Sequence, residues 1–471
     1  MKKNSKKIIF FVCCALFVIL APTVLFYCQG YRFDFETKKI VKTGAFYFKV
    51  LPRQAQVYLN GKIQGKSDFF FGAILIENLL PKNYRVRIER QDYQSWEKNL
   101  TVNEAETTEA KNIVLPPEKL GFDLLGQQVI NFWFSPDGRK IIFQEKSTGA
   151  EKNREGWSLV LFNLENRTKT PLVDKAGADI LDLRWSTESE RVIVILRTRE
   201  LGKDGKIVKE QESSLLITLP LLTVETKIDS LFLKEGDTPY FSPNNQKFLF
   251  SRKNKNNLFT LYESDFEGKF PKIVLDNLLA FEISGRNIYW LASDGFFKKS
   301  NFDGQTQTIS LRPLSLKENA SYQIKILASK IFISEEKKLF FFDDNTGNFS
   351  EISANVDHFL VSPEGKKLCF WNEFEAGIFF LEEEISQLAK KTGEKIFLTR
   401  FSEKVDDFFW WNEYYLIFRV ENTLKFIETD DRDHLQIWDL ARFSGPKVYF
   451  NFKERKLYIL SGGDLFSSNR F

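Results

Sequence analysis

The sequence has few of the residues that build metal sites and imidazole chemistry. It contains two histidines and four cysteines among 471 residues. Zinc sites and histidine-based acid–base catalysis need these side chains, so we expect no metal site and no such catalysis. Three of the cysteines, Cys13, Cys14 and Cys28, lie in or beside an N-terminal apolar run, which leaves Cys369 alone in the remaining chain. An intrachain disulfide framework is therefore excluded there.

An excess of charge of one sign is also missing. The chain has 67 Lys and Arg against 63 Asp and Glu, and four of the lysines precede residue 8. The rest of the chain is formally neutral, and no dense basic block follows. Because a nucleic-acid-binding domain needs a basic face for phosphates, we expect no nucleic-acid partner. The serine elbow Gly-x-Ser-x-Gly and the phosphate loop Gly-x-x-x-x-Gly-Lys are absent as well, so we predict no catalytic residue and no cofactor.

Aromatic residues, in contrast, are abundant. Phenylalanine occurs 48 times, and aromatic residues make up 15% of the chain. Aromatic side chains suit the pleated, half-buried surface of β-sheets. The length and a hydrophobic content of 43% allow more than one packed core. The composition favours an all-β fold with more than one domain.

The first 30 residues read as a membrane anchor. Ile8 to Tyr27 contains no charged residue, and a helix of this length is about 30 Å long, which matches the hydrocarbon core of a bilayer. Lys2, Lys3, Lys6 and Lys7 precede the run, so the positive-inside bias places the N-terminus in the cytoplasm and the chain after Tyr31 outside. The alternative is a cleaved secretory signal, but the run exceeds the usual signal core of about 7 to 15 residues. We predict an anchor over 1–30 and a linker over 31–43.

Short alternating strands follow between residues 44 and 117. We predict strands at Ala45–Leu51, Ala55–Leu59, Tyr84–Arg90 and Trp96–Val102. Asn60-Gly61 directly follows the second of these and is typical of a tight hairpin turn. Apolar Tyr84, Val86 and Ile88 alternate with charged residues, which indicates a strand with one buried face.

This segment resembles the PEGA domain, a small extracytoplasmic β-module of bacteria and archaea. Three groups of residues carry the resemblance: Pro52-Arg53-Gln54-Ala55 at the place of the family's tetrapeptide, Val57 to Lys62, and Leu80-Pro81 with Tyr84-Arg85-Val86, Tyr93 and Trp96. The resemblance implies a β-sandwich and a scaffold of the cell envelope, with no established catalytic residues.

From residue 118 to the end, one pattern recurs. Its clearest copies are Phe134-Ser135-Pro136-Asp137-Gly138, Phe241-Ser242-Pro243-Asn244-Asn245 and Val361-Ser362-Pro363-Glu364-Gly365, each followed by an apolar strand. Further turns, such as Asn301 to Gly304, supply a second hairpin within a unit. Two hairpins make a four-stranded sheet, and units of this length are typical of propeller blades.

Eight units begin near residues 129, 178, 236, 279, 320, 356, 404 and 446. The last unit contains about three strands, so we predict that Leu120 to Leu125 supplies its fourth strand and closes the ring. Seven blades are the alternative if residues 279–353 form one irregular unit. The turns resemble those of WD-like and TolB-type propellers of bacterial envelope proteins, which implies a propeller over 118–471.

Four sets of residues have the composition of possible binding sites or local elements. Trp96, Trp157, Trp410, Trp411 and Trp438 are aromatic residues that, if exposed, stack on sugars or proteins, and we take Trp96, Trp410, Trp411 and Trp438 as candidate partner-binding residues. Asp430-Asp431-Arg432-Asp433-His434 brings three carboxylates and an imidazole together, but a solvated loop is the favoured interpretation. Asp343-x-Asn345-x-Gly347 partly resembles a calcium loop, and we favour a plain hairpin. Glu382 to Lys391 has the spacing of a short amphipathic helix.

Together these features predict a non-catalytic, membrane-anchored scaffold outside the bacterial cytoplasmic membrane. Its partners would be the membrane and an envelope protein or glycan. The alternative is an envelope enzyme whose carboxylate acid–base pair lies in the propeller funnel.

Overall fold

A computed structural model describes residues 3–147, 156–176, 178–201, 207–219, 225–227, 233, 236–243, 247–265, 271–385 and 388–471. Within these residues the one helix is α1 (Lys3–Cys28). Its segment Ile9–Cys28 is long and apolar enough to cross a membrane, as the sequence predicts. A helix of this kind serves either as a membrane anchor or as a signal sequence. It leads into a hairpin of β1 (Tyr31–Asp34) and β2 (Lys39–Lys42).

Two facing sheets form a sandwich after this hairpin. Its strands are β3 (Gly44–Leu51), β4 (Gln56–Leu59), β5 (Lys62–Lys66), β6 (Ala73–Leu79), β7 (Asn83–Glu89), β8 (Trp96–Thr101) and β9 (Thr107–Val114). One sheet has the order β6-β3-β9 and the other β5-β4-β7-β8. The four predicted strands are confirmed to within a residue or two at their ends, and so is the hairpin at Asn60-Gly61, where φ is 49° and 78°. Tyr84, Val86 and Ile88 point into the core, as their alternation predicts.

The rest of the described chain is a series of antiparallel four-stranded units. The strands are β10 (Phe122–Gly126), β11 (Val129–Phe134), β12 (Lys140–Ser147), β13 (Gly156–Asn163), β14 (Lys169–Ala176), β15 (Ala178–Trp185), β16 (Arg191–Leu201), β17 (Ile207–Thr218), β18 (Glu225–Lys227), β19 (Thr238–Phe241), β20 (Phe248–Lys253), β21 (Phe259–Ser264), β22 (Lys272–Ser284), β23 (Asn287–Ala292), β24 (Phe297–Asn301) and β25 (Thr306–Thr308). They continue with β26 (Tyr322–Leu327), β27 (Lys330–Glu335), β28 (Lys338–Asp343), β29 (Asn348–Ser353), β30 (His358–Val361), β31 (Lys367–Trp371), β32 (Glu375–Phe380), β33 (Lys395–Arg400), β34 (Val405–Trp410), β35 (Tyr415–Val420), β36 (Thr423–Glu428), β37 (Ile437–Arg442), β38 (Lys447–Asn451), β39 (Lys456–Ser461) and β40 (Asp464–Ser468).

These strands make eight propeller blades within the described residues. Blades 1 and 2 are β11–β14 and β15–β18, blades 5, 6 and 7 are β26–β29, β30–β33 and β34–β37, and blade 8 contains β38–β40. Blades 3 and 4 share the long strand β22, whose first half pairs with β21 and whose second half pairs with β23. Residues 279–353 therefore belong to two blades, so the eight-bladed prediction holds and the seven-bladed alternative does not.

The ring is closed by a strand from the beginning of the propeller. Strand β10 pairs antiparallel with β40, with Phe122 opposite Ser468 and Leu124 opposite Phe466. Blade 8 therefore has the order β10-β40-β39-β38. This confirms the prediction that Leu120 to Leu125 supplies the missing strand. An exposed backbone edge on β40 is removed by this pairing.

Buried apolar clusters join each blade to the next. In chain order they lie between blades 1 and 2, 2 and 3, and so on to 7 and 8. A further cluster returns from blade 8 to blade 1, where Tyr458 and Leu460 pack with Phe132 and Phe143. The blades thus surround a common axis, and the first strand of each blade lies nearest to it.

The recurring serine has a structural role in the turn between the first and second strands. In blades 1, 2, 3 and 6 the hydroxyl oxygen of Ser135, Ser186, Ser242 or Ser362 accepts the backbone N–H of the residue five positions later, at 2.9 to 3.2 Å. All four serines are buried. A hydroxyl satisfies the turn's N–H without the bulk of an amide or carboxylate, which explains why serine recurs. Asn244 and Asn245, in the second copy of the motif, lie outside the described residues.

Two local predictions have different outcomes. The turn at Asp343 is a hairpin between β28 and β29, in which the carboxylate accepts the N–H of Asn345 and the hydroxyl of Thr346. The helix predicted over Glu382–Lys391 is wrong for the described residues, because Glu384 and Lys390 form a two-way backbone bridge, and residues 386–387 lie outside them. The divisions at residues 30, 43 and 117 stay predictions.

Closure by β10 can be tested with proline. Adjacent residues of a strand direct their N–H groups to opposite sides, so replacing both Asp123 and Leu124 with proline removes a ladder bond to β40. We expect the unfolding free energy of this double variant, measured by denaturant unfolding, to fall by about 1 kcal/mol, the net contribution of one backbone hydrogen bond. The matched double variant with alanine keeps both N–H groups and should lose far less. Equal losses in the two variants would mean that β10 does not close the ring.

Candidate functional site at the junction of sandwich and propeller

A buried cluster of charged side chains lies where the sandwich meets blade 7. Strand β8 directs Trp96, Lys98 and Leu100 to its buried side. The Lys98 side chain has no exposed surface, and its ammonium lies 2.8 Å from Glu428 Oε1 and 3.7 Å from Asp430 Oδ1. It also donates to the backbone oxygens of Asp430 and Arg432. The loop between β36 and β37 therefore encloses this lysine.

Glu428 is the counterion at the end of β36. Its Oε2 accepts the Trp96 indole N–H at 2.9 Å, and its Oε1 accepts the Gln436 backbone N–H at 2.9 Å. Burial raises the pKa of Glu428 to about 7, while the Lys98 ammonium and the indole N–H oppose the rise. The carboxylate is thus held by donors from both the sandwich and the propeller.

The rest of the same loop is also bound to the sandwich. Arg432 donates from Nη2 to Asp430 Oδ2 at 2.6 Å and from Nη1 to the backbone oxygen of Glu109 at 2.9 Å. Burial favours a higher pKa for Asp430, but the Arg432 hydrogen bonds and the charge of Lys98 outweigh it and hold the pKa below its usual value. Asp433 accepts the Asn99 backbone N–H at 2.8 Å, which lowers the pKa of Asp433.

The prediction of a solvated loop between blade strands therefore holds only in part: the loop joins two strands of blade 7 and leaves Asp433 and His434 exposed, but Asp430, Asp431 and Arg432 are half-buried. The carboxylates of this loop accept hydrogen bonds from the sandwich, from the loop itself and from blade 6. Asp431 accepts a hydrogen bond from Lys390 Nζ at 2.8 Å, which extends the network to blade 6. The sequence of β8 contains a signal for this buried ion pair. Lys98 lies between Trp96 and Leu100 on the same side of the strand, and a lysine buried among apolar residues needs a buried counterion.

The tryptophans chosen as candidate partner-binding residues lie in the interior. Trp96, Trp157, Trp410, Trp411 and Trp438 each expose at most 8% of their surface, so the exposure assumed for them is wrong. Their indole N–H groups bond within the chain, to Glu428, Ala178, Leu360, Phe471 and Ser95 respectively. A large ring fills the gap between adjacent sheets, and these rings are not available for stacking on a sugar in this fold.

Aromatic packing completes the junction. The backbone N–H of Val114, at the end of β9, donates to the Tyr415 hydroxyl at 2.9 Å. Trp96, Ile113 and Val114 belong to one buried cluster with residues of blades 7 and 8. A cavity of about 240 Å³ remains between β9 and blade 7, and its lining includes Trp96, Tyr414, Glu428, Asp430 and Arg432. The ion pairs and hydrogen bonds around this cavity join the sandwich to blade 7.

The inner strands of the propeller hold a different carboxyl group. Glu282 lies in the half of β22 that forms the first strand of blade 4. Burial raises the pKa of Glu282 to about 7, and the charge of Lys325 on the first strand of blade 5 opposes the rise. A raised pKa on an inner strand is a property that the acid–base residue of a funnel enzyme requires.

Lys98 gives the sharpest test of the junction. Replacing Lys98 with methionine leaves the Glu428 carboxylate buried without its cation, and we expect the unfolding free energy to fall by about 3 kcal/mol. Lys111→Met is the matched control, because the Lys111 side chain on β9 is 51% exposed and should change stability by about 0.5 kcal/mol or less. Adding Glu428→Leu to the Lys98→Met variant removes the unpaired carboxylate and should restore part of the lost unfolding free energy. Equal effects of the two single variants in denaturant unfolding would contradict the assigned role.

Glu282 predicts a specific pH dependence. Its carboxyl keeps a proton up to about pH 7 when folded, whereas the ordinary pKa is 4.5. The stability it contributes is complete below pH 4.5 and is lost as pH rises through about 7. Glu282→Gln should therefore raise the unfolding free energy by about 1 kcal/mol at pH 8 and have little effect at pH 4. Glu336→Gln, at an exposed position of blade 5, serves as the control. A gain that does not depend on pH would show that the pKa of Glu282 is the same in the folded and unfolded states.

Known proteins show similarity in fold only. No protein-family model and no curated protein matches the sequence. Similar solved structures include the Cps50 (Swd1) β-propeller domain of Myceliophteria thermophila, with 11% identity and a TM-score of 0.41 over 75% of this chain and all of that one. The Dos1 propeller has 10% identity and a TM-score of 0.43, and the match covers 74% of this chain and 95% of that one. Porphyromonas gingivalis dipeptidyl peptidase 4 has 13% identity and a TM-score of 0.39, and the match covers 74% of this chain and 54% of that one. The propeller assignment rests on the strand order of the sheets and on the apolar clusters between blades.

Proposed function

We propose that this protein is a non-catalytic scaffold that holds a β-propeller at a fixed place beside a membrane, where the propeller binds a protein or glycan of the cell envelope. The junction carries this proposal. The sandwich follows the apolar helix after one short hairpin and is joined to blade 7 by the buried Lys98–Glu428 pair and the Trp96 indole. A flexible tether would need none of these contacts. Their presence supports a role in which the orientation of the propeller matters.

The location is part of the same proposal. The four lysines before the apolar run support an N-terminus in the cytoplasm and an extracytoplasmic propeller. The resemblance of residues 44–117 to PEGA domains supports a bacterial envelope protein. The presence of a single cysteine, Cys369, in the chain after α1 is compatible with an oxidising compartment, because it is buried and has no second cysteine within that part of the chain.

An enzyme with a site in the funnel is the second candidate, and Glu282 is the observation that favours it. A carboxyl group with a pKa of about 7 is suited to proton transfer near neutral pH. General acid–base catalysis by a carboxylate pair needs a second carboxyl of different pKa near the same substrate. The scaffold is the stronger proposal, because the contacts at the junction are extensive, whereas Glu282 is one group.

Cysteine labelling tests the anchor and its direction. In a chain whose native cysteines are replaced by serine or alanine, a cysteine is introduced at Leu311, which is 73% exposed on the propeller, or at Ser5 before the apolar run. We expect a membrane-impermeant maleimide to label Leu311→Cys in intact bacterial spheroplasts and Ser5→Cys only after permeabilisation. Both chains should stay in the membrane fraction after alkaline washing. The opposite labelling would reverse the orientation, and release by the wash would indicate a cleaved signal.

A further inference from the structure

The hairpin β1–β2 presents an apolar surface immediately after α1. Phe33 lies directly opposite Ile40, so both side chains project from the same side of the hairpin. Phe35 follows at the turn, and its ring contacts Phe33 with 5.1 Å between centroids. The exposed fractions of Phe33, Phe35 and Ile40 are 49%, 82% and 66%. Three large apolar side chains thus form one exposed patch, which we name the hairpin patch.

The hairpin is held in place by polar contacts, so this exposure is not the result of an unstructured loop. Asp34 accepts the Glu36 backbone N–H at 2.9 Å and the Thr37 hydroxyl at 2.7 Å, and these hydrogen bonds lower the pKa of Asp34. At the base of the hairpin, the Thr43 N–H donates to the Gly30 carbonyl at 2.8 Å. The turn that carries Phe35 is therefore fixed relative to the end of α1.

Arg32 connects the hairpin to both of its neighbours. Its Nη1 donates to the Tyr27 backbone oxygen at 2.7 Å, and its guanidinium lies 3.5 Å from the centre of the Tyr27 ring at the end of α1. Its Nη2 donates to Asn78 Oδ1 of the sandwich at 2.9 Å. Arg32 projects from the opposite side of the hairpin to Phe33, because adjacent strand residues alternate. The hairpin patch consequently faces away from the side that Arg32 fastens to the sandwich.

The charged residues beside the hairpin patch indicate which kind of surface it contacts. Lys38, Lys39 and Lys42 are exposed on the same hairpin. Aromatic side chains beside lysines, directly next to an apolar span, are the composition of a membrane–water interface, where rings enter the headgroup region and ammonium groups reach lipid phosphates. An isolated two-stranded hairpin is also marginally stable in water, so burial of its apolar side in lipid would stabilise it.

We propose that β1–β2 lies in the interface of the bilayer that α1 spans, with Phe33, Phe35 and Ile40 in contact with lipid. The hairpin would then be a second attachment beside the helix and would limit the tilt of the sandwich. This inference rests on the proposed anchoring of α1.

A second exposed aromatic group in the same sandwich supplies a matched control. Phe69, Phe70 and Phe71 form a turn in which Asp68 accepts three backbone N–H groups, and Phe70 is 72% exposed. This turn lies at the far end of β3, since Gly72 accepts the Val50 N–H. The hairpin lies at the Gly44 end of β3, and eight residues of strand span about 25 Å. We therefore expect Phe70 to remain in water when Phe35 contacts lipid.

Depth measurement by spin labelling separates these positions. The full chain with its native cysteines replaced is labelled with a nitroxide at Phe35→Cys, Phe70→Cys or Phe17→Cys and placed in vesicles of phosphatidylcholine with one quarter phosphatidylglycerol. Power saturation then compares collisions with oxygen, which concentrates in lipid, and with a water-soluble nickel chelate. We expect the oxygen-to-nickel ratio to be roughly fivefold higher at Phe35 than at Phe70, and higher still at Phe17 within the span.

The three labels distinguish the possible failures. A lipid signal at Phe17 with equal, water-exposed signals at Phe35 and Phe70 would overturn the hairpin proposal and leave the anchor intact. A water-exposed signal at Phe17 would overturn both. Since Phe35 is 82% exposed, its replacement removes little packing. If the labelled chain nevertheless lost its fold, Ile40→Cys on the same patch would give the same comparison, and a water-exposed signal there would equally contradict the proposal.

Discussion

The buried ammonium group of Lys98 constrains the junction more than any other single group. A charged side chain without exposed surface is tolerated only where counterions and carbonyl oxygens replace its water. Here Glu428 and the backbone oxygens of Asp430 and Arg432 do so. The loop after β36 must therefore keep the conformation that aims these oxygens at β8. The position of the sandwich on blade 7 follows from that requirement.

The closure of the ring depends on the same placement. Strand β9 ends at Val114, and β10 begins at Phe122 as the outer strand of blade 8. The short connection between them can reach blade 8 only from a sandwich that lies close to it, and the sandwich shares one apolar cluster with blades 7 and 8. Docking of the sandwich and pairing of β10 with β40 thus support each other. A change that loosens the junction also gives β10 more freedom to leave the ring.

Local patterns of the sequence predicted the parts of this fold that depend on neighbouring residues. Asn60-Gly61 specified its hairpin because both positions favour positive φ. The serine turns marked blades 1, 2, 3 and 6 because the hydroxyl closes each of these turns within five residues. Contacts between distant segments were not predictable in this way. The loop at 430–434 read as solvated because its donors, such as Lys98 and Asn99, lie more than 300 residues away. The tryptophans were expected to be exposed for the same reason. The sequence of one strand does not show which neighbouring sheet will cover its rings. The spacing of residues 382–391 favoured a helix, but the bridge between Glu384 and Lys390 lets this segment fold back onto blade 6.

A hydrophobic junction of the same size would hold the sandwich to the propeller at least as strongly, because buried ion pairs seldom add net stability over well-packed apolar groups. Apolar surfaces, however, tolerate sliding and rotation, whereas Lys98 is satisfied only in one arrangement of its acceptors. The Trp96 indole and Arg432 add further directional bonds from the same two parts of the chain. A junction of this composition therefore favours one orientation of the sandwich on the propeller, while it adds little to the strength with which the two parts bind each other. For a protein whose apolar helix lies at one end and whose propeller lies at the other, a single orientation decides which loops of the propeller a partner meets.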